Sequence, residues 1–183
     1  MIKRDIHSIA EIQKGIDNAF SNIIEIVRNQ DDERFEWQPK QDKWCTGQQL
    51  DHMIRSVVPL NQGFLLPKAI IRLLFGRMNR EEYSFDEVVS KYHTKLDSGY
   101  KASGRYVPKW KAKASKKSML NQYEKEKIRL IRQMDKWTEE DLSTYLLPHP
   151  VLGKLTVREM MFFTIHHNDH HLKQLEDIES YER

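Results

Sequence analysis

The chain has 183 residues, which is enough for one domain with a sizeable core and short for two. Its net charge of +3 is too small to indicate nucleic-acid binding, and its single cysteine, Cys45, excludes an intrachain disulfide framework and favours a reducing compartment. The N-terminus lacks the apolar run of a signal peptide, and the most apolar window, Phe64 to Phe75, is too short and too charged to span a bilayer, so we expect a cytoplasmic protein.

Two long helices are predicted in the first third of the chain. From Ile6 to Val27, apolar residues recur at three- and four-residue steps, which predicts one buried helical stripe. Thr46 followed by Gln49 has the pattern of a capping box and predicts a second helix that starts near Gly47. Pro59 is expected to interrupt or kink this helix.

An extra segment, from about residue 67 to 117, separates the second long helix from the third. Within it, a helical pattern covers Lys68–Phe75, and Ser84 caps a short helix that ends near Leu96. Residues 99–117 then break the pattern. The segment is therefore predicted to be partly helix and partly loop.

Two further long helices follow. The third extends over residues 120–134, and a capping box of Thr156 and Glu159 opens the fourth, which continues to about Tyr181. Residues 35–43 and the proline-containing residues 142–154 are predicted to be connections, and no segment has the period of a β-strand. These elements predict an all-α fold.

The expected architecture is a single four-helix-bundle domain over residues 1–183, with residues 67–117 inserted between its second and third helices. Facing helices of such a bundle often place histidine and carboxylate ligands in the core. The histidines are therefore the residues to examine for a function.

Four of the eight histidines fall within six residues of the fourth helix, as His166, His167, His170 and His171. Helical residues four apart share a face, so residues 166 and 170 form one pair of imidazoles and residues 167 and 171 form another. Either pair could reach one metal ion, and imidazole suits zinc, nickel, copper and iron. The alternative is that these are buried histidines that only form hydrogen bonds.

His52 is the best candidate for a third ligand. It lies on the stripe of the second helix that also carries Gln48, Gln49 and Ser56. At about 1.5 Å per residue, His52 is roughly 9 Å from the start of its helix and His171 is roughly 14 Å from the end of the fourth. The three imidazoles reach similar heights if these two helices are antiparallel.

Two stretches of sequence resemble signatures of the DinB/YfiT-like superfamily. Residues 44–53, WCTGQQLDHM, resemble the first signature, and residues 149–156, HPVLGKLT, followed by His167-x-x-x-His171-x-x-Gln174, resemble the second. The resemblance implies an up-down-down-up bundle in which helices two and four are antiparallel. It also implies a divalent metal held by three histidines. Because the family's glutamine follows its second histidine by three residues, the implied ligands are His52, His167 and His171.

The same resemblance implies a function. Three neutral imidazoles leave the double charge of a zinc, nickel or iron ion uncompensated, so thiol transfer and hydrolysis are both open to the site. Some members resemble S-transferases for low-molecular-weight thiols, and others resemble metal-dependent hydrolases. We expect a thiol S-transferase, with a hydrolase as the alternative. No catalytic acid or base is identified, and the residues expected in the pocket or beside the ligands are Gln48, Gln49, Ser56, Phe163, His170 and Gln174.

Two surfaces suggest partners. Residues 101–118 are basic and include Tyr106 and Trp110, a pattern that can bind nucleic acid, although a solvated loop with its aromatic residues packed inward is favoured. The apolar residues of 64–75 point in several directions around their helix, so they need a cover. The inserted segment could cover them, but the family resemblance favours a homodimer.

Overall fold

The computed structural model describes residues 6–110 and 115–181. In these residues the chain forms α-helices, one 3₁₀ turn at Gly104–Tyr106 and one two-stranded hairpin. The helices and strands are α1 (Ile9–Asn29), α2 (Asp32–Glu36), α3 (Thr46–Gly63), α4 (Lys68–Phe75), α5 (Phe85–Asp97), α6 (Lys116–Met134), α7 (Glu139–Thr144), β1 (Leu146–His149), β2 (Gly153–Thr156) and α8 (Val157–Ser180). The predicted all-α class is confirmed, with a small hairpin added.

The four long helices α1, α3, α6 and α8 form the bundle, in which α1 and α3 each pack against both α6 and α8. Contacts between α1 and α6 show that these helices are antiparallel. Gln13, early in α1, donates to the carbonyl of Ile131 late in α6 (3.2 Å), whereas Asp17 accepts from Lys127 one turn earlier in α6 (2.8 Å).

The directions of α3 and α8 follow from similar contacts. The Tyr123 hydroxyl of α6 contacts Met53 Sδ of α3 (3.8 Å), and Gln133, further along α6, donates to the carbonyl of Asn61, further along α3 (3.1 Å), so these helices are parallel. Gln30, just after α1, donates to Glu179 near the end of α8 (2.6 Å), which fits a parallel pair. The bundle is therefore up-down-down-up, as expected.

The apolar stripe of α1 forms one side of the core. Ile12, Ile16, Phe20, Ile23 and Val27 each expose at most 1% of their surface. Burying a side chain of this size contributes roughly 1.5–3 kcal/mol, which fixes the face that α1 turns towards α6 and α8.

The start of α3 differs by one residue from the prediction. Cys45 is the N-cap, and Gln48, not Gln49, folds back so that its Oε1 accepts from the Cys45 N–H (3.0 Å). The predicted capping box of Thr46 and Gln49 is therefore wrong. The shift matters because it leaves the Gln49 side chain available to contact α8.

Pro59 does not end α3, which continues one further turn to Gly63. Proline removes one helical N–H, but contacts with α6 hold the final turn in place. The Asn61 side chain donates to the Glu126 carbonyl (3.0 Å), and the Asn61 carbonyl accepts from Gln133 (3.1 Å). The chain then bends by 109° into α4.

Residues 142–154, predicted to be a loop, contain the end of α7 and most of a β-hairpin. Strand β1 pairs antiparallel with β2, in a register that places His149 opposite Gly153. Leu147 and Leu155 are buried by the hairpin, and Gly153 has a positive φ of 77° that favours glycine. The helix α2 likewise begins before, and extends into, the predicted connection over residues 35–43.

The segment between α3 and α6 is attached to the start of α8 by a buried carboxylate. Glu159 is fully buried and accepts from both Arg80 Nη atoms (2.7 Å each), from the Tyr83 N–H (2.7 Å) and from the Thr156 N–H (2.8 Å). Helix α5 then packs against α8. The segment thus becomes part of the wall beside α8.

Within residues 6–110 and 115–181, no single helix is long and apolar enough to cross a membrane. Helices α3 and α4, which meet at a bend, reach the length and apolar composition of a membrane-spanning segment only when they are taken together.

Candidate metal centre

Three histidines from two helices converge in the bundle. His52 lies on α3, and His167 and His171 lie one turn apart on α8. The Nε2 atom of His167 is 3.2 Å from that of His52 and 3.1 Å from that of His171. All three side chains are buried, and among the described residues theirs is the cluster of histidine, cysteine and carboxylate ligand atoms that lie within 4.8 Å of one another.

Neighbouring aromatic rings pack on the three imidazoles. Trp44, just before α3, packs against His52 with ring centroids 5.1 Å apart, and Phe163 stacks on His167 at 5.2 Å with an interplanar angle of 21°. These contacts restrict the rotation of the imidazoles, because aromatic rings of this size leave few alternative rotamers.

Hydrogen bonds on the far side of two imidazoles fix their tautomers. His52 Nδ1 lies 2.7 Å from the Tyr106 carbonyl oxygen, and His171 Nδ1 lies 2.5 Å from Gln49 Oε1. A carbonyl oxygen only accepts, so each Nδ1 carries the proton and donates it. In a neutral ring the Nε2 atom then has a free lone pair, directed to His167.

This arrangement suits a cation. His167 Nε2 can donate a proton to His52 or to His171 but not to both, so at least one of these two Nε2 lone pairs receives no hydrogen bond from His167. Nitrogen ligands about 2.0–2.1 Å from a tetrahedral metal lie roughly 3.3 Å apart. The observed separations of 3.1 and 3.2 Å are close to that value, so the three residues fit a divalent transition metal.

The hydrogen bond to His171 continues into a chain of neutral groups. Gln49 Nε2 donates to Gln174 Oε1 (2.7 Å), and Gln174 Nε2 lies 2.8 Å from His170 Nε2. His170 is therefore linked to His171 by hydrogen bonds through the side-chain amides of Gln49 and Gln174, and it is not one of the three clustered histidines. Because every member of this chain is uncharged, it orients His171 without compensating the charge of a bound cation.

The Tyr106 carbonyl is held in place by Asp51, which the sequence places beside His52. Asp51 Oδ2 accepts from the N–H groups of Lys109 (2.6 Å) and Trp110 (3.1 Å) and from Arg55 Nε (2.7 Å). Asp51 thus anchors residues 104–110 across the start of α3. It orients His52 indirectly, through the backbone that carries the Tyr106 oxygen.

Burial keeps the three imidazoles neutral. It lowers the pKa of His52, and it lowers the pKa values of His167 and His171 well below the usual histidine range, with a further lowering of these two by the neighbouring histidines. Neutral imidazole is the form that binds metal, so at physiological pH the three histidines are in a form that could bind one.

A cavity of about 690 Å³ adjoins the three histidines, and all three line it. Its walls are largely apolar and aromatic, with contributions from Trp44, Leu60, Tyr92, Leu96, Tyr100, Leu147 and Phe163. A cavity of this size and character can bury a small organic molecule.

Most of the other sequence-predicted site residues lie around this cavity. Gln49, Ser56, Phe163, His170 and Gln174 line it, and the Ser56 hydroxyl donates to the His52 carbonyl (2.9 Å). The remaining one, Gln48, caps the start of α3 instead.

His149 is a cavity residue that the sequence analysis missed. Predicted to lie in a proline-rich loop, it is buried at the end of β1 and packs against Phe163, with ring centroids 4.1 Å apart. Two leucines followed by Pro-His and then Gly153 four residues later could have signalled a hairpin. That signal would have placed His149 at a strand end beside the fourth helix.

The aromatic residues of the basic segment point inward. Trp110 packs edge-on against Phe35 (5.8 Å), and its ring lies so close to Gly47 that a Cβ there would be 2.6 Å away. Tyr106 lines the cavity. Lys111 and Lys113 lie outside the described residues. Nucleic-acid binding by residues 101–118, the less favoured alternative of the sequence analysis, is untested.

Comparison with known proteins agrees with this geometry. The model of the DinB superfamily matches residues 16–175, which is most of the chain, and the chain therefore belongs to that superfamily. No curated protein matches the chain, and no solved structure matches it.

We predict that the metal-free protein loses stability as the pH falls from about 6.5 towards 4. Burial lowers the pKa values of His149 and His170 to about 4 and also lowers those of the three cluster histidines. Histidines of the unfolded chain titrate near 6.5, so the unfolded state binds more protons in this window and the free energy of unfolding decreases as pH falls. The slope is about 1.4 kcal/mol per pH unit for each such histidine.

Urea unfolding at several pH values between 7 and 5, with a chelator present, measures this slope. In a His149→Asn variant this slope should be smaller by the contribution of one histidine, roughly 1.4 kcal/mol per pH unit. A Thr94→Ala variant, which changes an exposed residue of α5 without a titratable group, should keep the full slope. A free energy of unfolding that stays constant over this range would contradict the prediction.

Proposed function

We propose that this DinB-superfamily protein binds a divalent transition metal through His52, His167 and His171 and uses it to transfer a low-molecular-weight thiol to an electrophile. The carrying observation is that His167 Nε2 lies 3.2 Å from the Nε2 of His52 and 3.1 Å from that of His171, with the latter two rings held in the metal-binding tautomer. When bound, the metal would supply a Lewis-acid position that favours the thiolate form of a thiol.

The residues of the chain then have distinct tasks. Gln49 and the Tyr106 carbonyl hold two imidazoles in orientation, and the rings of Trp44 and Phe163 shield the cluster from water. In the net reaction a bond forms between the thiol sulfur and an electrophilic carbon. The leaving group departs with its electron pair, and the thiol proton passes to solvent. The largely apolar cavity walls support this reaction, because they favour the binding of an organic electrophile.

The metal site has a direct test. Protein purified without a histidine tag should bind about one zinc or nickel ion per chain, and His52→Ala, His167→Ala or His171→Ala should each weaken binding at least tenfold, because two imidazoles hold a metal poorly. Metal content after dialysis, measured by mass spectrometry, gives the result.

The matched control is His166→Ala, which changes a histidine of the same helix on the neighbouring face. This variant should keep its metal. Equal metal content in wild type and in a variant that lacks all three ligands would show that the cluster does not hold it. Loss of metal only on changes at residues 166 and 170 would show that the other pair is used.

Thiol transfer is tested with a fluorogenic bimane electrophile and a panel of thiols that includes glutathione and bacillithiol. We expect conjugation that requires metal and falls at least tenfold in His52→Ala. Ester and amide substrates tested in parallel distinguish the alternative, a metal-dependent hydrolase. Hydrolysis without conjugation would replace the transferase proposal, and lack of both reactions with metal bound would indicate a binding role.

The apolar face of α4 supports a homodimer as a further part of the proposal. Leu73 is 80% exposed and Leu74 is 57% exposed, so the segment between α3 and α6 leaves this face uncovered. The adjoining Leu65 and Ile70 extend it. A contiguous apolar face of this kind is typical of an interface, and closed two-fold pairing is the commonest arrangement of soluble chains.

Light scattering at micromolar concentration should give twice the chain mass of 21.9 kDa. Leu73→Lys should shift the protein towards monomer, because a lysine would be desolvated in an apolar interface. The control is Ile128→Lys, which changes a residue of α6 that is 41% exposed and lies outside this face. A mass near 21.9 kDa for the wild type at all concentrations would refute the dimer.

A further inference from the structure

His149 is a buried imidazole in the cavity wall that the proposed metal chemistry does not use. It is 8% exposed, it ends β1, and it lines the same cavity as the three cluster histidines. Its position is set by the hairpin, in which it lies opposite Gly153. A histidine held so firmly beside a cavity is a candidate for contact with a ligand.

Backbone hydrogen bonds fix the tautomer of His149. Its Nδ1 accepts from the N–H groups of Val151 (3.2 Å) and Leu152 (3.0 Å). An atom that accepts two hydrogen bonds carries no proton, so the proton of the neutral ring is on Nε2. Burial, which lowers the pKa of His149 to about 4, keeps the ring in this neutral form near pH 7.

The Nε2–H of His149 is available to the cavity. No residue in the described ranges 6–110 and 115–181 accepts a hydrogen bond from it. The hairpin turn occupies Nδ1, and the side chain lines the cavity. The Nε2–H donor is therefore left for a molecule in the cavity. This tautomer is the opposite of the one held by His52 and His171, whose Nε2 atoms accept.

Phe163 connects His149 to the metal cluster. Its ring contacts His149 at 4.1 Å and stacks on His167 at 5.2 Å. A molecule that lies across Phe163 therefore meets the His149 donor at one end and the three cluster histidines at the other. The lining residues that flank His149 in the chain are Pro148, Pro150 and Val151, which carry no charge.

We infer that His149 forms a subsite whose Nε2–H donates a hydrogen bond to the neutral carbonyl or amide oxygen of a ligand whose thiol reaches the metal cluster. A neutral acceptor is favoured over a carboxylate, because an uncompensated charge against the apolar hairpin turn would have to be desolvated. This inference rests on the proposed function and names the kind of substrate that the site selects. His149 is accordingly a specificity residue of the thiol site.

Two thiol probes of matched length separate the subsite from the metal site. The first is 2-mercapto-N-phenylacetamide, which carries an amide, and the second is 3-phenylpropane-1-thiol, in which two methylenes replace that amide. Their dissociation constants for zinc-loaded protein are measured by calorimetry. In His149→Asn, the amide probe should bind roughly three- to tenfold more weakly, the usual worth of one neutral hydrogen bond, and the hydrocarbon probe should be unaffected.

Asparagine is chosen at position 149 because it should preserve the hairpin turn. Asparagine can accept from backbone N–H groups two residues on, so His149→Asn keeps a partner for the turn while it removes the distant Nε2–H donor. His149→Phe removes both functions and should weaken the amide probe at least as much. The control is His93→Gln, whose changed side chain is exposed on α5 and is not part of the cavity wall, and which should bind both probes like wild type.

The outcomes are distinguishable. Selective weakening of the amide probe in His149→Asn would support the subsite, and an unchanged ratio of the two affinities would overturn it while leaving the metal site intact. Failure of zinc-loaded wild type to bind either thiol would overturn the thiol function and the subsite together. An independent readout is the ¹⁵N spectrum of histidine-labelled protein: a protonated Nδ1 at His149 would also overturn the inference.

Discussion

Two hydrogen bonds to uncharged carbonyl oxygens determine what the core of this bundle can do. The Tyr106 carbonyl and Gln49 Oε1 accept from the Nδ1 atoms of His52 and His171, so both rings turn their Nε2 lone pairs towards His167. Buried imidazoles without these acceptors could take the other tautomer and form an ordinary hydrogen-bonded cluster. The acceptors are neutral, so a cation bound among the rings keeps its full charge and its strength as a Lewis acid.

The segment between α3 and α6 is part of this site and not a passive insertion. It provides the Tyr106 carbonyl, which Asp51 fixes through the N–H groups of Lys109 and Trp110, and it provides Tyr92, whose ring packs against Phe163 (5.1 Å). The buried Glu159 attaches the same segment to the start of α8. Bundle helices thus supply the three histidines of the cluster, and the connecting segment supplies an acceptor that orients His52 and much of the cavity wall.

The cavity presents two kinds of nitrogen to a ligand. The Nε2 atoms of His52 and His171, which have lone pairs available, suit a cation, whereas the Nε2–H of His149 suits an acceptor oxygen. Both kinds arise from the same side chain in the same protonation state, and only the partner of Nδ1 differs. Carbonyl acceptors on Nδ1 produce the first kind, and the backbone N–H donors of the hairpin turn produce the second.

The sequence by itself determined the long helices and the three histidines of the cluster, because the three- and four-residue periodicity is local and the two stretches that resemble family signatures contain His52, His167 and His171. It did not determine which glutamine caps α3: Gln48 and Gln49 are both able to, and the choice of Gln48 leaves Gln49 to contact His171 on another helix. The continuation of α3 past Pro59 and the acceptor for His52 were also decided only by tertiary structure. Each depends on contacts between residues far apart in the chain, and local patterns carry no information about such contacts.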